Sequence, residues 1–102
     1  MKIVITNFAK LQLQSIYEYI SKLASPNIAI NEIDRINLHI SLLERTPKAG
    51  RIVEELKTLS LHHRQLVVSN YKIIYRIEES IIYITDVFDC RQHPNKIIRR
   101  NK

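Results

Sequence analysis

The residues of this chain best placed to do chemistry are cations. Lys72 and Arg76 lie four apart in Tyr71-Lys72-Ile73-Ile74-Tyr75-Arg76-Ile77, a run rich in Ile and Tyr. Such residue types suit a strand, and a period of two puts Lys72, Ile74, Arg76 and Glu78 on one face and Tyr71, Ile73, Tyr75 and Ile77 on the other. Arg64 enters the preceding run and Arg91 leaves the following one, so the four cations are expected to share one rim of a partly polar concavity. Cations gathered in this way bind phosphate or an acidic protein surface. The competing expectation is that they pair with Glu78, Glu79, Asp86 and Asp89, and exposed pairs of that kind contribute little.

Other chemistry has less support. His62 and His63 are adjacent in an extended segment and point to opposite sides, so they do not chelate one metal. His39 lies beside a helical stripe with no ligand at i+4, and no His, Cys or carboxylate set has metal-site spacing. A single glycine, Gly50, excludes glycine-rich phosphate loops, and one cysteine, Cys90, excludes an internal disulfide and fits a reducing cytoplasm. No cofactor is expected. The formal charge of +6 on 102 residues favours acidic partners, and residues 91–102 hold Arg91, Lys96, Arg99, Arg100 and Lys102 without an acid. No run is long enough to span a membrane, and the opening residues do not form a secretory signal, so the expected location is the cytoplasm.

The elements that position these groups follow from periodicity. The stretch Arg64–Phe88 carries three apolar runs, Gln65–Val68, Tyr71–Ile77 and Ile81–Phe88, parted by Ser69-Asn70 and Glu78-Glu79-Ser80. Breaks this short join antiparallel neighbours. Before the meander, Lys2–Thr6 reads as a short strand. Ala9, Leu13, Ile16, Tyr17, Ile20 and Leu23 stripe a first helix, with Thr6-Asn7 as its cap and Lys10, Gln14, Glu18 and Lys22 opposite, Glu18 and Lys22 forming a favourable pair. Ser25-Pro26 starts a second helix, to about Glu44, striped by Ala29, Ile33, Ile36, Ile40 and Leu43. Pro47 and Gly50 punctuate a turn, and Arg51–Leu59, which could be a strand edge followed by a loop or one helical turn, is expected to be a short strand or extended arm leading to the sheet. The predicted fold is one α+β domain over 1–102: a short strand, an antiparallel helix hairpin and a mainly antiparallel twisted sheet, with a basic tail at about 95–102. The face of Tyr71, Ile73, Tyr75 and Ile77 should meet the helices.

This order of motifs resembles the RelE/ParE superfamily of toxins from type II toxin–antitoxin systems. The resemblance rests on Pro47-Lys48-Ala49-Gly50-Arg51, Val53-Glu54-Glu55-Leu56, Arg64-Gln65-Leu66-Val67-Val68, Tyr71 to Ile77, and Val87-Phe88-Asp89-Cys90-Arg91-Gln92-His93-Pro94. It covers nearly the whole chain and implies a cytoplasmic bacterial toxin held by an acidic antitoxin, as a toxin–antitoxin hetero-oligomer. One branch, RelE- and YoeB-like, cleaves messenger RNA on the ribosome, and the other, ParE-like, poisons DNA gyrase.

For the nuclease branch the resemblance implies Glu54 as general base and His93 as the C-terminal histidine. Lys72 stands where YoeB-like chains carry arginine, and a lysine keeps the charge but loses the fork that grips a phosphate bidentately; Pro94 follows His93 where those chains end in tyrosine. Tyr71 to Ile77, and Val87-Phe88-Asp89 with Arg91 and Pro94, are closer to the ParE-like branch. Arg51, Arg64, Lys72, Arg76 and Arg91 are the expected target- or phosphate-binding set. Gyrase is the favoured target, ribosome-bound message the alternative, and a small basic nucleic-acid-binding module or inactive relative the second alternative.

Overall fold

The structure is a computed structural model, and it describes residues 1–53 and 62–90. Thr6 starts the first helix as expected. Its Oγ1 accepts from the amide of Ala9 at 3.2 Å and donates to the carbonyl of Ile84 at 3.0 Å. One side chain therefore caps α1 (Asn7–Leu23) and ties its start to the sheet. Ser25 caps α2 (Pro26–Leu42) by accepting from Ile28 at 3.2 Å, with Pro26 in the first turn, where a missing N–H costs nothing. On the outer side of α1, Glu18 accepts from the Gln14 amide at 3.2 Å. It forms no ion pair with Lys22 among the described residues.

Among the described residues five strands make one sheet in the order β1-β5-β4-β3-β2. They are β1 (Lys2–Ile5), β2 (Arg51–Ile52), β3 (Arg64–Val68), β4 (Tyr71–Glu78) and β5 (Ile81–Asp89). β1 pairs with β5 in parallel, and the other pairs are antiparallel. Of the Arg51–Leu59 stretch only residues 51–53 are described, and Arg51–Ile52 form a strand of two residues. Both meander connections are tight, and their residues Ser69 and Glu79 take left-handed φ values of 56° and 57°. Positive φ at the start of a two-residue loop matches the twist of the flanking strands.

The helix hairpin covers one face of the sheet. Ala9, Ile36, Ile40 and Leu43 pack with Val68, Tyr71, Ile73, Tyr75, Ile82, Ile84 and Val87, and Ile77 borders the cluster. The expected helix-facing set of β4 is therefore the one that meets the helices. Leu23 departs from its stripe: it is the last residue of α1, where the chain turns, and it is 72% exposed.

Candidate functional site

The second face of the sheet is set by a bulge. Ile74 pairs with Asp86, but Tyr75 pairs with Ile84, so Thr85 is the extra residue. Its Oγ1 donates to the carbonyl of Ile74 at 3.3 Å. The inserted residue shifts the phase of β5. Ile82, Ile84 and Val87 face the helices, while Tyr83, Asp86 and Phe88 pair with Arg76, Ile74 and Lys72 on the second face. Without the bulge, Asp86 would share a side with Ile82 and Ile84 and meet the apolar helix core.

This face is more closed than the expected open concavity. Ile74, Asp86 and Phe88 at its centre are buried, as are Gln65 on β3 and the neighbouring His63 and Val53. Cations occupy the margins. Lys72 is half-buried between Val67 and Phe88 in register and forms no ion pair among the described residues. Arg76 lies over the ring of Tyr83, 4.9 Å from its centroid, and pairs with Glu78 at 3.3 Å. The expectation of surface pairing thus holds for Arg76. Arg51 is exposed, and with the Gln65 amide oriented so that its oxygen faces the guanidinium, that oxygen accepts from Nε at 2.9 Å and Nη2 at 3.0 Å.

Arg64 does not join this group. It pairs with Tyr75, which alternates to the face opposite Lys72 and Arg76. Its Nη1 donates to the carbonyl of Gly50 at 2.8 Å. The expectation of a shared rim is corrected there: Arg64 is committed to the turn before β2. Beside it, the Tyr75 hydroxyl donates to Pro47 O and accepts from Gly50 N, each at 2.8 Å. Burial pushes the Tyr75 phenol above its ordinary value, against the opposing pull of the Gly50 amide and the Arg64 charge. Gly50 is required by close approach, since a Cβ there would lie 2.6 Å from Gln65 O and 2.8 Å from Tyr75 Oη. Glu54, Arg91 and His93 lie outside the described residues, as does the basic tail.

The sequence matches the family model described as the ParE toxin of the type II toxin–antitoxin system parDE, over residues 3–94. The chain belongs to the ParE toxin family. It is the toxin component of a type II toxin–antitoxin system. A solved structure, of the chromosomal ParDE toxin–antitoxin system from P. aeruginosa, shares the fold, with a TM-score of 0.72 at 21% identity over 87% of this chain and 95% of that one. No curated protein matches the sequence. Sequence reasoning missed the bulge and with it the second-face positions of Tyr83 and Phe88. The signal available was Asp86, a charge that strict alternation would have placed among the helix-facing isoleucines.

Proposed function

We propose that this ParE-family toxin arrests growth by poisoning DNA gyrase, that the second face of its sheet, with Arg51, Lys72 and Arg76, carries target contacts, and that Arg91, which lies outside the described residues, adds to them. The observation behind this reading is the family match across residues 3–94. The character of the cations adds to it. Lys72, unpaired among the described residues, is a point charge that suits an acidic protein surface and lacks a guanidinium's fork for phosphate. Arg64 acts through the turn it holds. The cytoplasm, where gyrase works, is the proposed location, and no described helix is long and apolar enough to cross a membrane.

The antitoxin of the system is proposed to land on the outer surface of the helix hairpin. Phe8, Leu11, Tyr19 and Leu23 of α1 and Leu38 and Leu42 of α2 are exposed there. A groove lined by Lys10, Leu13, Gln14, Tyr17, Ile33 and Asn37 runs between the helices. An amphipathic segment with acidic flanks suits this surface and the +6 charge. Among the described residues β1 is one edge of the sheet, and the backbone groups of an edge strand make a second landing place. Protease protection with and without antitoxin tests this, and neither region protected would reject it.

Supercoiling by purified gyrase, measured with increasing toxin, tests the target. Supercoiling should fall. Unchanged supercoiling at excess toxin, together with message cut at the ribosomal A site, would reject gyrase and give Glu54 and His93 the acid–base roles of a ribonuclease.

A further inference from the structure

A strand of two residues cannot hold its own register. β2 has only Arg51 and Ile52, paired with Gln65 and Arg64. A slip of one residue would send Arg51 to the helix-facing side. The flanks of β2 hold it: beyond Ile52 the Val53 N–H donates to His63 O, and before Arg51 residue 50 is fixed on both its backbone groups. Its N–H donates to Tyr75 Oη, and its carbonyl accepts from Arg64 Nη1. The same Tyr75 hydroxyl holds Pro47 O at the far end of the turn. Tyr75 itself is fully buried in the helix-facing cluster. One residue later, the Arg51 guanidinium is held on the opposite face by Gln65. Gly50 and Arg51 are therefore clamped from the two sides of the sheet.

We propose that Tyr75 is a positioning residue for target binding: through the Pro47–Gly50 turn its hydroxyl sets the register of β2 and so presents Arg51 on the second face. The inference rests on the reading that Arg51 belongs to the target-binding face. A phenylalanine at 75 keeps the ring in the cluster and removes only the clasp. The Gly50 N–H would then lose its acceptor, and only the Gly50 carbonyl would stay held, by Arg64.

The test combines Tyr75→Phe, Arg51→Ala and the double variant, each checked as folded by thermal melting, in the gyrase supercoiling assay. Each single variant should need about tenfold more protein for half-inhibition, the weight of one lost contact to a charged group. The double variant should be no weaker than Arg51→Ala alone. Hydrogen exchange at the amides of Gly50 and Val53, whose N–H donates to His63 O at 2.9 Å, should quicken in Tyr75→Phe while β4–β5 amides stay protected. A merely structural role would add its loss to that of Arg51→Ala. Additive losses, wild-type potency of either folded single variant, or unchanged exchange at Gly50 and Val53 would each overturn the proposal. If the unmodified toxin leaves gyrase untouched, the target reading falls by itself, and the same variants are scored by growth arrest in cells with the same criteria. Should Tyr75→Phe fail to fold, Arg64→Met, which removes the other clamp on residue 50, replaces it.

Discussion

Gly50 and Tyr75 sit as close as a backbone and a ring can. The Gly50 amide donates to the Tyr75 hydroxyl at 2.8 Å, and a Cβ on residue 50 would fall 2.8 Å from both that oxygen and the ring edge. The single glycine of the chain thus serves contact. Its φ is not in the left-handed region. The Pro47–Gly50 turn is built on this approach, and the proposed register of β2 and orientation of Arg51 rest on it.

Gly50→Ala should therefore destabilise the fold by about 1–3 kcal/mol, the usual cost of overpacking. The Gln65 carbonyl at 2.6 Å belongs to a paired strand and yields little. Urea unfolding would show a lower midpoint with an unchanged slope.

Tyr75→Phe should cost about 1–3 kcal/mol, because Gly50 N–H loses its partner in a buried position. Its loss should be partly offset in a double variant with Gly50→Ala, since losing the hydroxyl removes one of the three close contacts of the added methyl, while those with the ring edge and Gln65 O remain. A double-mutant cycle by urea unfolding measures that coupling.

Alkaline pH should expose the same hydroxyl. Burial raises the folded pKa of Tyr75 above its unfolded value of about 10, so the folded state holds that proton more tightly. A raised pKa gives stability that is complete below the unfolded value and is lost as pH rises through the folded one. The stability difference between the wild type and Tyr75→Phe should be constant below about pH 10 and shrink above it.

Lys72→Ala should leave stability within about 0.5 kcal/mol, since the ammonium has no ion-pair partner among the described residues. It should nevertheless weaken gyrase inhibition about fivefold to tenfold, the loss of one desolvated charge contact. Arg76→Ala should cost somewhat more stability, up to about 1 kcal/mol, through its lost contacts with Tyr83 and Glu78. Melting temperatures and supercoiling titrations separate the two.

Much of the fold was legible because local signals agreed with it. The caps at Thr6 and Ser25, the 4-3-4-3 stripe ending at Leu43 and the short breaks at Ser69 and Glu79 each name one solution. The misplacement of Arg64 was avoidable. With Ser69-Asn70 as a two-residue loop, Val68 faces Tyr71, and counting back puts Arg64 against Tyr75, opposite Lys72 and Arg76. The bulge at Thr85 was not readable from alternation alone, because an inserted residue leaves the composition of the strand unchanged. The burial of Ile74 and Phe88 on the second face is likewise a tertiary fact. A period of two assigns a side but does not say what covers it.

The central claim is that this ParE-family toxin acts on gyrase. Negative supercoiling of relaxed plasmid by purified gyrase, titrated with purified toxin and repeated with antitoxin added, tests it most directly. Supercoiling should fall with toxin and recover with antitoxin. Undiminished supercoiling at a large excess of folded toxin that still arrests growth in cells would contradict it.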